Sequence, residues 1–470
     1  MTGPLWTAVD AASATAGRSR RFWQASHVSI DSRTAGEGDL FVALRAARDG
    51  HEFVADALKK GATAAVVTAR PEDVPEDAPL LLVEDCMTAL EGLGAFARER
   101  SRARIVGVTG SVGKTGFKAA LARICERFGE THASDRSYNN HWGVPLSLAN
   151  MPPAARFGIY EMGMNRPGEI RALTAQVRPH VAVVTAIAPA HMEFFASLDD
   201  IARAKSEIFE SLEGDRVAVI NADAPGAEIL FEHARAARAA VIGYGSAKGA
   251  RAQLIDCELL DDRSRVHARL DSRKFDYEVG IAGHHWVINS LGLIAAAFAL
   301  ELPVDAILDD LARLEPVAGR GRRETVRFPD GGRITLIDES YNANPVSMRA
   351  AIEVLAAQRG RRVAILGDML ELGSGSERMH ADLAEVLEGA GVGLLLLAGP
   401  MTAALAEAMG SRVECHHAPD SATLAGELES RLRDGDTVLV KGSLGSRVQV
   451  VVDALRSLGH GVTTNAEEEV

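Results

Sequence analysis

Residues 108–118, VTGSVGKTGFK, set two glycines, a lysine and a threonine where an apolar strand gives way to a helical run. Gly110 and Gly113 let backbone N–H groups approach an anion, with Thr109, Ser111 and Val112 completing the loop. The helix N-terminus adds partial positive charge, Lys114 a point charge and the Thr115 hydroxyl a ligand for magnesium. Val108 occupies the first-glycine position of the strict eight-residue phosphate-loop motif, so context as well as spacing supports the reading. The implied chemistry is the binding of a nucleoside triphosphate. A switch, a kinase, a motor and a ligase all use such a cradle, so other residues must decide among them.

Glu161 lies near the end of FGIYEMG (157–163), and open α/β sheets take their ligands at the carboxyl ends of parallel strands. A carboxylate there holds a metal ion beside phosphates or faces solvent. His191 follows another such strand, VAVVTAI (181–187), on the same rim, as a ligand or as a hydrogen-bonded structural group. Lys205 sits in the amphipathic IARAKSEIFE. As an ammonium it has donors only and reads as a solvated face; as a carbamate it would offer two oxygens and a negative charge. In IDESYNANP (337–345), Asn342 and Asn344 are turn formers ahead of Pro345, or with Asp338 make a polar pocket facing the cradle. Asn289, ahead of the apolar run LGLIAAAFAL, is either an N-cap or a nucleobase contact.

Positioning these groups takes several domains. The chain has 470 residues, 47% hydrophobic and 24% charged, with 44 glycines, as suits an α/β protein rich in strand-to-helix turns. Its formal charge of -13 argues against nucleic acid as a partner, since such binders need a basic surface. Four dispersed cysteines without a CxxC indicate neither a zinc site nor a disulfide framework. No apolar leader and no run long enough to span a membrane is present, so the expected setting is the cytoplasm, with no membrane partner.

Short strands such as DLFVAL and TAAVV mark a small α/β module over residues 1–101. From RIVGVTG onward, near-continuous apolar strands indicate a mostly parallel sheet covered on both faces, over residues 102–318, with LGLIAAAFAL as a buried helix. After the Gly- and Arg-rich joint PVAGRGRRE, a third βα rhythm over residues 319–470 includes ITLIDES, RVAILGD, GLLLLAG and TVLVKGS. The expected fold class is α/β in three domains: a small N-terminal domain, a central phosphate-loop ATPase and a Rossmann-like C-terminal domain.

Together these stretches resemble the Mur ligase family over nearly the whole chain. IDSRTAGEGDLFVAL and DGHEF are similar to its uridine-nucleotide domain. TGSVGKT, NNHWGVPLSL, EMGMNRPGEI, APAHMEFF and AKSEIF are similar to its central ATPase, and SYNANPVSMRAA, LGDMLELG and VKGS to its third domain. EMGMN-PGEI and YNANP-SM resemble the branch that adds D-alanyl-D-alanine to UDP-N-acetylmuramoyl-tripeptide.

The resemblance implies ATP as co-substrate, two magnesium ions, and a chain acting as a monomer. It implies catalytic roles for Lys114, Glu161, His191 and Lys205. Thr115 and Glu161 would hold one ion, His191 and a carbamylated Lys205 the other. Asn289 would contact adenine, and Arg320 with Asp338 the phosphates or ribose. Ser32, Arg33, Asn139 and Asn140 would face the uridine-linked substrate, and Asn342 and Asn344 the incoming dipeptide. Three positions depart from the family pattern. Gly116 stands where Thr or Ser follows GKT, Trp286 where an Asn precedes the adenine-contacting one, and Leu444 where Arg follows VKGS. The alternatives are a sister ligase or folylpolyglutamate ligase adding a single amino acid, a phosphate-loop switch, and a binding protein without turnover. YNANP speaks against the single-residue ligases, and the absence of an NKxD element against a guanine-nucleotide switch.

Overall fold

The computed structural model describes residues 3–134, 137–189, 192–212 and 214–459. Among them are three large sheets, of five, nine and six strands, which follow one another along the chain. The first has parallel strands His27–Ser29, Asp39–Val42, Ala64–Val67 and Leu80–Leu82, with Arg18–Ser19 antiparallel at its edge. Leu40 and Val42 point to one face and Phe41 and Ala43 to the other, each into a separate apolar cluster. The period-two alternation therefore fills two layers from one strand.

The nine-stranded sheet carries the phosphate loop. Its parallel part runs from Thr131–Ala133 through Phe157–Glu161, Arg104–Thr109, Val181–Val184, Val217–Asn221 and Ala240–Gly245 to Ala252–Leu259. Strand Arg104–Thr109 is the point at which the chain order reverses, because Thr131–Ala133 and Phe157–Glu161 lie on one side of it and the strands from Val181 onward on the other. Diverging connections at such a point leave a crevice for a ligand. Val181 and Val183 bury into one cluster, Ala182 and Val184 into the opposite one, so both faces are covered as the apolar runs require.

Two helices pack on the first face. The phosphate-loop helix, Lys114–Glu126, buries Phe117, Leu121, Ile124 and Cys125 along one stripe. Helix His284–Ala299 is buried nearly all round, which confirms the buried helix read from LGLIAAAFAL. It starts earlier than that run and is capped by Gly283, so Asn289 lies inside it. The N-cap alternative for Asn289 is thereby overturned.

Strands Ala252–Leu259, Ser264–Leu270 and Arg273–Val279 extend the sheet, the last two antiparallel, a feature the sequence reading does not single out. In the last two, inward residues alternate with more exposed ones, and charges oppose one another across the outward face of all three. Asp256, His267 and Asp276 form one row, and Glu258, Arg265 and Glu278 another. The six-stranded sheet is parallel through Arg333–Glu339, Thr437–Lys441, Arg362–Gly367, Val392–Ala398 and Glu414–Ala418, with Arg322–Arg327 antiparallel at its edge.

Candidate active site

The phosphate loop is fixed from below by the neighbouring strand end. Gly113 caps its helix at φ +85°, a left-handed conformation that favours glycine. Gly110 has no room for a side chain, which would run into Thr185. The Thr185 N–H donates to the Thr109 carbonyl at 2.9 Å, and its hydroxyl to the Val112 carbonyl at 2.6 Å. Ser111 donates its N–H to Ala186 at 2.7 Å and its hydroxyl to the Ala188 carbonyl at 3.0 Å. Thr109 is fully buried, and its hydroxyl meets no partner among the described residues.

Glu161, the last residue of its strand, is 1% exposed, so the solvent-facing reading fails. One carboxylate oxygen accepts from the Thr115 hydroxyl at 2.8 Å, and the other from the Asn139 amide at 2.7 Å. The Ser137 hydroxyl lies 3.3 Å from that of Thr115. Among the described residues no group of three or more His, Cys, Asp or Glu side chains gathers for a metal ion. One carboxylate beside a hydroxyl and a phosphate cradle nevertheless suits magnesium, which keeps waters and binds substrate phosphates alongside one or two protein carboxylates.

Lys114 donates to the Gly110 carbonyl at 2.7 Å. Burial lowers its pKa against the opposing pull of Glu161, and Arg320 lowers it further. Lys205, in helix Leu198–Ser206, is 3% exposed rather than solvated. Burial, and then the charge of Lys114, push its pKa well below the ordinary lysine value. These two lysines, Glu161 and Arg320 thus share one electrostatic neighbourhood. His191 lies outside the described residues.

Asn289 turns its amide toward the loop, with its nitrogen 3.3 Å from where a Cβ on Gly113 would stand. Arg320 lies over the Tyr341 ring, 4.0 Å from its centroid. Asp338 is buried and accepts from the Ser340 N–H at 3.1 Å and from Arg456 at 3.1 Å. Asn344 caps helix Pro345–Ala356 in a reciprocal box with Ser347. The Asn342 side chain accepts from the Ala343 N–H at 2.9 Å, while its carbonyl accepts from Lys441 at 2.9 Å. Asn140 accepts from the Gly143 N–H at 2.9 Å.

A cavity of about 210 Å³ opens between the first sheet and the central one, lined by His27, Ser29, Asp31, His132, Tyr138 and Asn150 among others. Ser32 and Arg33 fall between two lining residues, Asp31 and Thr34. The Arg33 side chain is exposed and clasps Asp31 with Nε at 2.9 Å and Nη2 at 2.6 Å. Asn150 joins the two sides: its Oδ1 accepts from the Val28 N–H at 2.7 Å and its Nδ2 donates to the Val28 carbonyl at 2.9 Å.

Sequence reasoning missed Ser137, Thr185 and Lys441. Thr185 and Lys441 each stand at the carboxyl end of a parallel strand, the position that drew attention to Glu161, and that signal could have found them.

Comparison with known proteins bears on the whole chain. The Mur ligase family catalytic domain matches residues 24–98, the Mur ligase middle domain residues 108–297, and the glutamate ligase domain of Mur ligases residues 321–444. The chain belongs to the Mur ligase family. Within the Mur ligases it is 34% identical to the UDP-N-acetylmuramoyl-tripeptide–D-alanyl-D-alanine ligase of Escherichia coli K12, over 92% of this chain and 94% of that one. A MurF crystal structure from Acinetobacter baumannii superposes with a TM-score of 0.84 at 29% identity, covering 96% of this chain and 99% of the other. MurF of Thermotoga maritima in complex with ADP gives 0.77 at 26%, covering 92% and 97%. The three-domain Mur ligase fold expected from the sequence is thus the fold observed.

Proposed function

We propose that this Mur ligase joins D-alanyl-D-alanine to the terminal carboxylate of UDP-N-acetylmuramoyl-tripeptide, consuming ATP and releasing ADP and phosphate, in peptidoglycan precursor synthesis. The observation that carries the reading is the buried chain Thr115–Glu161–Asn139 beside Lys114, at the crevice of the central sheet. A carboxylate and an amine do not condense usefully in water, so the acid must first gain a leaving group. A tripeptide carboxylate oxygen attacks the γ-phosphorus, the bond to the β,γ-bridging oxygen breaks, and an acyl phosphate and ADP result. The dipeptide nitrogen then attacks the acyl carbon, loses a proton, and expels inorganic phosphate to leave the amide.

The chain's contribution is positioning and charge. The loop N–H groups and Lys114 receive the phosphates, Asn289 the adenine, and Arg320 with Asp338 the phosphates or ribose from the far side of the cleft. Thr115 and Glu161, the latter aimed by Asn139, would hold a first magnesium ion, and His191 with a carbamylated Lys205 would hold a second. Magnesium held there would neutralise charge gathering on the phosphate oxygens. The suppressed basicity of Lys205 favours the neutral amine, the form that adds carbon dioxide, and a carbamate there sets a negative charge beside Lys114.

The cavity at His27 and Asn150 suits the uridine end of the acceptor, with Ser32 and Arg33 beside its lining residue Asp31 and Asn140 two residues beyond its lining Tyr138. Asn342, held by Lys441, and the capped turn at Asn344 flank the dipeptide. Divisions near residues 102 and 318 make Gly319, Arg320 and Gly321 the joint on which the cleft closes to exclude water. A cytoplasmic setting suits the four free cysteines, and among the described residues no helix is long and apolar enough to cross a membrane; the chain is taken to act as a monomer.

The test is phosphate release from ATP with uridine-linked tripeptide and D-alanyl-D-alanine, separately and together. Release that requires both supports ligation. Release that needs neither would replace this reading with a plain nucleotide hydrolase.

A further inference from the structure

Glu207 is a buried carboxylate that none of the roles above uses. It is 6% exposed and follows directly on helix Leu198–Ser206, two residues after Lys205. Its Oε1 accepts from the Gly168 N–H at 2.8 Å and its Oε2 from the Arg171 N–H at 3.0 Å. Those donors open helix Glu169–Val177, which Gly168 caps in a left-handed conformation with no side chain of its own to offer. The missing cap comes from another element. The Arg171 guanidinium, 3.6 Å away, is turned mainly to Glu210, so backbone N–H groups hold the carboxylate.

The helix so capped continues the chain from Glu161, and the stretch between them is tied at successive points. The Met162 N–H donates to the Val108 carbonyl and the Gly163 N–H to the Asn139 carbonyl, each at 2.8 Å, and the Asn165 N–H donates to Glu169 at 2.7 Å. A Cβ on Gly163 would stand 2.9 Å from the Asn139 amide carbon, so this stretch has no slack against the residue that aims Glu161. On the other side, the Ser206 hydroxyl lies 2.9 Å from His233 Nδ1 and donates to the Arg203 carbonyl at 2.6 Å, which fixes the end of the Lys205 helix. Glu207 is a polar link between these two braced segments. A serine or aspartate at position 168 would cap the helix equally well and would join nothing.

We propose that Glu207 is a positioning residue for the reaction, setting the distance and orientation of Lys205 relative to Glu161 by capping the helix that follows Glu161. The proposal rests on the role given to Lys205 above. Its effect on turnover is out of proportion to its contacts, because a misplacement of about 1 Å at reacting groups costs on the order of 100-fold.

The experiment supplies isotope-labelled bicarbonate to the full-length protein with magnesium and ADP, and reads the carbamate carbon by NMR, identified by its absence in Lys205→Ala. Glu207→Gln keeps the volume but sets an amide N–H against one of the two donors. It is expected to cut that signal about fivefold or more and kcat about 10- to 100-fold, with ADP affinity held within about twofold. Glu210→Ala breaks the exposed clasp on Arg171, leaves the capping bonds, and changes neither readout.

A full carbamate signal with kcat within about twofold in Glu207→Gln overturns the proposal even if the variant unfolds at lower urea, since Glu207 is then a cap for the fold alone. Equal losses in Glu210→Ala overturn it as well. Where Glu207→Gln does not fold, the wild type decides. Hydrogen exchange at the Gly168 and Arg171 amides should slow about threefold or more when bicarbonate is added with magnesium and ADP, because a link that positions Lys205 must respond to its modification in return. Unchanged exchange overturns the proposal. A wild-type protein with no carbamate signal removes the role given to Lys205 and this proposal together, whereas a signal untouched by Glu207→Gln removes the proposal only.

Discussion

The phosphate loop and the cavity at the N-terminal sheet are built in opposite ways. Around the loop, Thr115 is 7%, Glu161 1% and Lys205 3% exposed, and each strand-end hydroxyl or carboxylate described there except Thr109 is tied to a neighbour. All of these groups come from adjacent strands and helices of a single sheet, so their spacing is set by the fold itself. The cavity is formed between two sheets and depends on their docking. Its marginal residue Arg33 has a side chain 87% exposed with Asp31 as partner, and the docking is held in part by the paired bonds of Asn150 to Val28. The first site is organised before its ligand arrives; the second is as good as the contact that makes it.

If that contrast is right, damage at the loop costs turnover and damage at the cavity costs affinity. The largest effect is expected at Lys205: Lys205→Ala abolishes phosphate release in the complete assay, and added bicarbonate does not restore it. Substantial residual activity would remove the carbamate from the mechanism. Glu161→Gln keeps the shape and loses the charge, and should lower kcat about 10²- to 10³-fold with little change in KM for the uridine-linked substrate. Asn139→Ala, which frees the carboxylate to turn, should cost about 10- to 100-fold in kcat or in apparent magnesium affinity.

Asn150→Ala inverts the pattern. Loss of its two bonds to Val28, which join the two sides and are each worth about 1 kcal/mol, should raise KM for the uridine-linked substrate about thirtyfold while kcat holds within a few fold. A loss confined to kcat would show that the cavity is not an independent affinity element.

The smallest effect at neutral pH is expected at His180. Its Nδ1 accepts from the Ile105 N–H at 2.9 Å, and burial, with Arg98, Arg104 and Arg216 nearby, lowers its pKa from 6.5 to about 4. Between those values the unfolded chain binds the extra proton, so this contribution to stability is complete above pH 6.5 and is lost as pH falls toward 4. His180→Asn, which keeps an acceptor, should flatten the acid limb of the stability curve measured by urea unfolding. An unchanged limb would assign acid sensitivity elsewhere.

The parts of the molecule that could be read from sequence are those in which local pattern and tertiary role coincide. Val181 to Val184 and Ile105 to Val108 announce a doubly covered parallel sheet because burial on both faces leaves no polar position. Glu161 could be read because a strand end is a ligand position in any open sheet of this kind. Thr185 stands on equal terms, yet its work is to bond two backbone carbonyl groups of another segment, and no residue type signals that. Asn289 shows the opposite failure, since its helix begins at His284, before the apolar run by which the sequence locates it. The contact of Gly116 with Trp286 spans 170 positions of sequence and is visible only once two helices cross.

The rows of opposed charge on strands Ala252–Leu259, Ser264–Leu270 and Arg273–Val279 have a bearing beyond the site. The last of these strands is the open margin of the nine-stranded sheet, with main-chain groups that a foreign strand could join. Arg265 between Glu258 and Glu278, and His267 against Asp276, make an incoming apolar ribbon a poor match for this margin. A large, mostly parallel sheet is slow to assemble and exposed while it does so. Charge laid along its border gives the newly made chain time to finish folding in a crowded solution without knitting to its siblings.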